Sequence, residues 1–191
     1  MITAKEYNVT TDENRMNVYV LQAPVLPDVA VLSFTMSKTI VGQGYSLAAN
    51  ITVENQGADA ESFNLTVSAN TTTVCSQIIV LEGGNSTEVT VVWNTTGSGM
   101  GNYAMSAYAE PLTGEIDTAD NSLIGETVHI GVLGDVNADG KVDMRDIGYV
   151  ARRFMMSPSD LLWDPNSDIN GDGKVDMKDI GATARNFGEH Y

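Results

Sequence analysis

The sequence predicts a mostly β protein with a small α module: a two-sheet β-sandwich followed by a unit made of two loop-and-helix copies. Within residues 28–130, short stretches of period-two alternation are separated by turn-forming residues, which is typical of an all-β sandwich. Beyond residue 134, one segment occurs twice at a spacing of 33 residues. The charge balance also changes there: residues 1–133 carry 14 acidic and 3 basic side chains, against 11 and 7 in residues 134–191.

These observations divide the chain into an N-terminal strand segment (1–26), a sandwich (27–132) and a loop-and-helix module (133–191). In the sandwich, Leu47, Ala49, Ile51 and Val53 point one way and the residues between them point the other. The same alternation recurs at residues 63–67, 89–93 and 103–107, with turn-forming runs between. About seven strands fit this stretch, which favours an immunoglobulin-like two-sheet architecture.

The repeated segment carries a complete set of oxygen ligands, and residues 135–148 match residues 168–181 at 11 of 14 positions. A twelve-residue Ca²⁺ loop supplies ligands from positions 1, 3, 5, 7, 9 and 12, and it turns sharply at a Gly in position 6, here Gly140 and Gly173. Two Ca²⁺ sites are therefore predicted. The first-copy ligands are Asp135, Asn137, Asp139, the Lys141 carbonyl, Asp143 (through water) and Asp146; the second-copy ligands are Asp168, Asn170, Asp172, the Lys174 carbonyl, Asp176 and Asp179.

An acidic turn in a solvated loop is the alternative interpretation of one such stretch. Two copies with Gly at the same offset favour the cation, because carboxylates packed that closely repel each other. Magnesium fits less well, since it prefers rigid octahedral geometry and keeps its waters. Val142 and Val175, at position 8, are predicted to align the two loops.

Each loop is followed by a predicted amphipathic helix. The apolar faces, which we expect to pack on each other, are Ile147, Val150, Ala151 and Phe154 in the first helix and Ile180, Thr183, Ala184 and Phe187 in the second. No comparable helix precedes either loop, so each copy corresponds to the second half of an EF-hand, a loop followed by one helix. Trp163, between the helices, is interpreted as a core residue, with sugar stacking as the alternative.

With Asp at position 12 and a linker between the copies, residues 134–189 resemble a dockerin type I domain, which binds cohesin modules on scaffolding proteins. The resemblance implies cohesin contacts at loop positions 10 and 11 and on the outer helix faces. The family often has small hydroxyl residues at positions 10 and 11, whereas here Met stands beside a base. An ordinary solvated helix face is the alternative for the basic residues. By position, the contacts are Met144, Arg145, Arg152, Met177, Lys178 and Arg185.

The preceding hundred residues resemble the CARDB family, immunoglobulin-like modules found repeatedly in bacterial and archaeal surface proteins. The resemblance lies in residues 27–31, 41–43, 53–57 and 115–121, and nothing in it resembles a catalytic set. Residues 11–20 also resemble residues 119–130, so residues 2–20 are interpreted as the last two strands of a preceding repeat. A disordered or ornamental strand is the alternative.

Composition excludes several classes of function and sets the compartment. Ten Lys and Arg against 25 Asp and Glu exclude a nucleic-acid partner. Cys75 is the single cysteine and is interpreted as a small buried hydrophobe. No apolar run of 18 residues and no signal peptide occur, so an exported form would be a mature fragment. Glycosylation triplets, which favour an exterior location, begin at Asn8, Asn50, Asn64, Asn70, Asn85 and Asn94.

The sequence therefore predicts a secreted or cell-surface, non-catalytic binding protein whose tail is folded by two Ca²⁺ ions and docks to a cohesin-type partner. The alternative is a structural subunit of an extracellular filament or surface layer, assembled by strand sharing or tail contacts between copies. An enzyme is disfavoured, because His129 and His190 are far apart in the sequence and neither sits in a catalytic motif.

Overall fold

The computed structural model describes residues 25–191 in full and, for strands β1 (Thr3–Thr11) and β2 (Asn14–Gln22), the backbone pairing. These two strands form an antiparallel hairpin, with Thr3 opposite Gln22 and Thr11 opposite Asn14. The hairpin is a two-stranded sheet of its own. The strands expected within residues 2–20 are therefore present, while their origin in a preceding repeat stays a prediction.

The sandwich consists of eight strands in two sheets. The three-stranded sheet has the order β3-β5-β8 and the five-stranded sheet the order β4-β10-β9-β6-β7. All neighbours are antiparallel except β4 and β10. The sequence predicts about seven strands, and the difference is the three-residue β4. The bounds are β3 (Val29–Met36), β4 (Ile40–Gly42), β5 (Ser46–Asn55), β6 (Glu61–Ala69), β7 (Thr72–Leu81), β8 (Ser86–Asn94), β9 (Gly101–Ala109) and β10 (Ser122–Gly131).

The sandwich core lies between the two sheets and follows the predicted alternation. Every second residue of β5, from Leu47 to Val53, is buried, and the residues between them are half-buried. Strands β6 and β9 supply the opposite face of the core through Leu65 and Met105, among others. Cys75 is half-buried at the margin of the core, so its predicted burial is only partial.

The tail contains two short helices, α1 (Met144–Ala151) and α2 (Met177–Arg185), and a single 3₁₀ turn, Pro165–Ser167. Its own small core is apolar, and Trp163 packs against this core as the sequence predicts. The buried members are Val136, Val150, Ile169, Val175 and Ala182. None of the helices within residues 25–191 is long and apolar enough to cross a membrane.

The predicted apolar helix faces are only partly correct. Val150 and Thr183 are buried, but Ala151 and Ala184 are exposed. Phe154 and Phe187 are 42% and 54% exposed. The reason is helix length: α1 ends at Ala151 and α2 at Arg185, so the helical period no longer positions the two phenylalanines.

The tail contacts the sandwich along a seam between the β3–β4 turn and the segment 166–168. Lys38 Nζ donates to the Asp168 carbonyl at 2.5 Å, and Lys38 is only 6% exposed. Asn166 Oδ1 accepts hydrogen bonds from the amides of Thr39 (3.0 Å) and Ile40 (2.9 Å). Burial lowers the pKa of Lys38, while the charge of Asp168 acts in the opposite direction. The sandwich and tail are thus joined by polar contacts besides the chain itself.

Candidate functional site

The first predicted metal loop, residues 135–146 (loop 1), is organised by its first and last carboxylates. Asp135 is buried, and its two oxygens accept hydrogen bonds from the amides of Asp139 (3.2 Å) and Gly140 (2.9 Å). Asp146 is fully buried and accepts from the amides of Val136 (3.1 Å) and Asp143 (2.9 Å). Positions 1 and 12 thus bring both ends of the loop around one centre.

The second loop, residues 168–179 (loop 2), repeats this geometry. Asp168 is buried, and its oxygens accept from the amides of Asp172 (3.1 Å) and Gly173 (2.8 Å), as Asp135 does in loop 1, and also from the amide of Gly171 (2.8 Å). Asp179 is fully buried and accepts from the amides of Ile169 (2.9 Å) and Asp176 (2.8 Å). Near-identical local sequence has therefore produced near-identical local structure.

The two position-6 glycines have the backbone conformation that a sharp loop turn requires. Gly140 has φ +90° and Gly173 has φ +86°, a region that L side chains rarely adopt. The chain then enters each helix through a capping box. Asp143 and Asp176 are the N-caps, and the carboxylates of Asp146 and Asp179, at the third helical position, accept hydrogen bonds from the N-cap amides. The same residues thus start the helices and close the loops.

The prediction that Val142 and Val175 align the two loops with each other is wrong. The amide of Val142 donates to the Glu189 carbonyl at 2.9 Å, in the segment that follows α2. The amide of Val175 donates to the Met156 carbonyl at 2.9 Å, in the segment that follows α1. Each loop is therefore tied to the end of the other copy's helix, because both valines are buried in the tail and their amides require acceptors there.

The electrostatics of the loops favour a bound cation. Burial raises the pKa of Asp135, against the lowering effect of its two amide donors. A hydrogen bond from the Lys178 ammonium, which lies 3.0 Å from Asp172, holds the pKa of that carboxyl below its usual range. Each loop carries four carboxylates, and the nearby ammonium and guanidinium groups are largely exposed, so they screen that charge weakly.

The donor set fits calcium by its chemistry. Each loop offers carboxylate, amide and carbonyl oxygens and no nitrogen or sulfur ligand, as a hard cation prefers. Within residues 25–191, no three His, Cys, Asp or Glu side chains already converge as a ligand group. The buried carboxylates instead accept backbone amides, so ligation requires the loop side chains to turn inward.

Comparison with protein-family models identifies both parts of the chain. Residues 26–123 match the CARDB model. The chain belongs to the CARDB family. Residues 133–186 match the Dockerin type I domain, so the predicted order of a CARDB sandwich and a dockerin tail is confirmed. Dockerin type I domains bind calcium, and both modules are non-catalytic binding domains typical of extracellular or cell-surface proteins.

Solved structures similar to this CARDB chain include a CARDB domain from Pyrococcus furiosus in complex with di-metal ions. It is 19% identical, covers 58% of this chain and 99% of its own, and has a TM-score of 0.49. A domain of a Methanosarcina acetivorans protein described as a cell surface protein is 26% identical, with coverage of 55% and 92% and a TM-score of 0.43.

A β-glucosidase from Listeria innocua is 13% identical, with a TM-score of 0.42. The match covers 65% of this chain but only 19% of that enzyme. With TM-scores below 0.5, these likenesses carry no functional argument. No curated protein sequence matches the chain.

The predicted partner residues of the dockerin tail lie at its surface. Met144 and Met177 are 66% and 65% exposed at the first positions of α1 and α2. Arg145 and Lys178 follow them and pair with Asp139 and Asp172 of their own loops. Arg152 and Arg185, near the helix ends, are also exposed. The structure thus gives the two copies equivalent outer faces.

A surface that the sequence did not single out lies beside Arg152. Leu161 and Leu162 are 99% and 68% exposed and line a cleft of about 510 Å³ together with Trp163 and Arg152. In the sequence, only the pair of leucines in the linker could have indicated this cleft, and such a pair is more typical of a buried core segment.

The glycosylation triplets differ in accessibility. Asn70, Asn85 and Asn94 are exposed. Asn50 and Asn64 are half-buried on strands, and their Oδ1 atoms accept hydrogen bonds from Thr90 and Ser76. Asn8 lies in β1, whose side chains are outside the described residues. Glycosylation of all six stays a prediction.

Proposed function

We propose that the dockerin tail binds one calcium ion in each loop, and that the calcium-loaded tail docks the protein to a cohesin-type partner. The supporting observation is that both loops have Gly at φ near +90° in position 6 and buried carboxylates in positions 1 and 12. The twelve predicted ligand residues are retained in this proposal. Two ions offset four of the eight negative charges that the loops carry.

The partner-binding face in this proposal combines the two exposed methionines with their neighbouring bases. Met144 and Met177 offer unbranched apolar side chains that adapt to a partner surface, and Arg145 and Lys178 set a basic rim. The Leu161–Leu162 cleft beside Arg152 extends the apolar area. The CARDB sandwich serves as a spacer that holds the tail away from the remainder of an exported, cell-surface protein.

Binding to immobilised cohesin domains, with calcium and with chelator, tests this function. At least one cohesin is expected to retain the full chain in calcium and to release it in chelator. Met144→Asp combined with Met177→Asp should abolish retention without changing calcium uptake. Met100→Asp, at an exposed sandwich residue, is the matched control. Retention that is indifferent to calcium would contradict the proposal.

A structural subunit of a filament or surface layer is the second candidate. The observation that favours it is the β1–β2 hairpin, which forms a two-stranded sheet of its own. Two strands alone are marginally stable, and open strand edges template pairing with other chains. Electron microscopy with and without calcium separates the candidates, since polymers are expected only from the structural subunit.

A further inference from the structure

A group of acidic side chains lies at one end of the sandwich, where strands from its two sheets begin. Asp28 directly precedes β3, and Asp120 and Asn121 directly precede β10. The amide of Val31 donates to the Asp120 carbonyl at 2.8 Å, and the amide of Val29 donates to Glu115 Oε1 at 2.9 Å. These bonds hold the two segments side by side.

Three oxygen atoms of this group are buried without a hydrogen-bond partner among the described residues: Asp28 Oδ1, Asp120 Oδ1 and Asn121 Oδ1. Asn121 is 0% exposed. Its Nδ2 donates to Glu115 Oε1 (3.1 Å) and to the Ala109 carbonyl (3.4 Å), which fixes the amide so that Oδ1 is the free acceptor. Buried acceptors without a donor cost about 1–3 kcal/mol each, so these three oxygens require a donor or a cation.

No side chain within residues 25–191 neutralises these acids. All the ion pairs found in that range belong to the tail. Burial raises the pKa of Asp28, and the charges of Asp120, Glu115 and Asp117 add to the rise. Mutual repulsion of neighbouring carboxylates is relieved by a shared proton or by a bound cation.

We propose that Asp28, Asp120 and Asn121 bind one divalent cation, calcium, between the starts of β3 and β10. Their oxygens are the ligands that a hard cation takes in a flexible shell. Glu115 is a positioning residue, because its oxygens already accept hydrogen bonds from the amides of Val29 and Leu112 and from Asn121. The ion links the three-stranded sheet to the five-stranded sheet, since β3 and β10 belong to different sheets. This site is independent of the two tail loops.

Calcium stoichiometry of the full chain, measured by equilibrium dialysis, tests the proposal. The wild-type chain is expected to bind three calcium ions, and the Asp120→Asn chain two. The matched control is Asp59→Asn, at an exposed sandwich residue, which should still bind three. Asp135→Ala combined with Asp168→Ala should leave one ion. Equal stoichiometry in the wild type and Asp120→Asn would overturn the proposal. A wild type that binds one ion, lost in Asp120→Asn, would instead overturn the tail sites alone.

Thermal unfolding of the sandwich separates an ion from a shared proton. Trp93 reports on the sandwich in a Trp163→Phe background. In a chain that also carries Asp135→Ala and Asp168→Ala to remove the tail sites, calcium is expected to raise the midpoint of the Trp93 transition, and adding Asp28→Asn should abolish this effect. If calcium leaves that midpoint unchanged while Asp28→Asn raises it in chelator, the carboxylates share a proton and the cation site is refuted.

Discussion

The two calcium loops are near copies in sequence and in hydrogen bonding, yet their surroundings differ. Loop 2 contacts the sandwich, where Lys38 binds the Asp168 carbonyl and Asn166 binds the β3–β4 turn. Loop 1 is instead covered by the chain end, where the amide of Tyr191 donates to the Gly140 carbonyl at 3.2 Å and the Tyr191 hydroxyl hydrogen-bonds His129 of β10. The local sequence therefore determines the hydrogen bonds within each loop, and long-range contacts give the two loops different surroundings.

This difference gives the two proposed ions different roles. An ion in loop 1 organises the segment that the chain end covers, whereas an ion in loop 2 fixes the segment that hydrogen-bonds Lys38 and the β3–β4 turn. Ligand binding that orders a shared segment couples the elements attached to it. Loop 2 is thus expected to set the position of the tail on the sandwich, and loop 1 to complete the tail's fold.

The largest expected effect comes from removing a position-12 carboxylate. Asp146→Ala and Asp179→Ala each delete a buried carboxylate that is a proposed ligand and the acceptor of two loop amides, so each should lower the free energy of unfolding of the tail in calcium by more than about 3 kcal/mol. Asp179→Ala should also loosen the tail from the sandwich more than Asp146→Ala does, because loop 2 adjoins the Lys38 and Asn166 contacts. Denaturant unfolding followed by Trp163 fluorescence measures stability, and small-angle scattering measures release.

Asp59→Ala, at an exposed sandwich residue, is the control for both variants and should leave the tail unchanged. An Asp146→Ala chain that expands as much as the Asp179→Ala chain would contradict the assigned difference between the loops.

A smaller, selective effect is expected at the seam. Asn166→Ala leaves the amides of Thr39 and Ile40 without their acceptor, at a cost of about 1–3 kcal/mol. If this cost reaches loop 2, its calcium affinity should fall about tenfold for each 1.4 kcal/mol, and the calcium affinity of loop 1 should not change. A calorimetric titration that resolves the two tail sites measures this, with the exposed Asn85→Ala as control. Equal weakening of both sites would show that the seam does not discriminate between them.

The smallest effect concerns position 4, where the copies differ. Ala138 has φ +58° and Gly171 has φ +74°, so loop 1 holds an L side chain in the left-handed region. Ala138→Gly should stabilise the tail, and Gly171→Ala should destabilise it, each by about 1 kcal/mol. Denaturant midpoints in saturating calcium provide the measurement. Changes of the same sign in both variants would exclude backbone strain as the cause.

The calcium loops and the sandwich were predictable because their signals are local. Ligand spacing and a position-6 Gly define a loop within twelve residues, and strand alternation defines a buried face within ten. The family matches confirm the two modules in the predicted order. The ligand assignments themselves remain proposals.

The remaining features depend on long-range contacts that leave no periodic signal. Lys38 and Asn166 stand more than 120 residues apart, and nothing in either local sequence marks the seam. Val142 and Val175 were expected to align the two loops, but their amides donate to the segments that follow the helix of the other copy. Phe154 and Phe187 continue the helical period in sequence, yet both helices stop before reaching them.

Amide hydrogen exchange of the full chain, with calcium and with chelator, shows whether calcium folds the tail. We expect that it does, because binding free energy in a small metal module is folding free energy. The amides of Val142 and Val175 should therefore be protected in calcium and exchange rapidly in chelator, while those of Ile51 and Val67 in the sandwich stay protected in both. Undiminished protection of Val142 and Val175 in chelator would show that the tail folds without calcium.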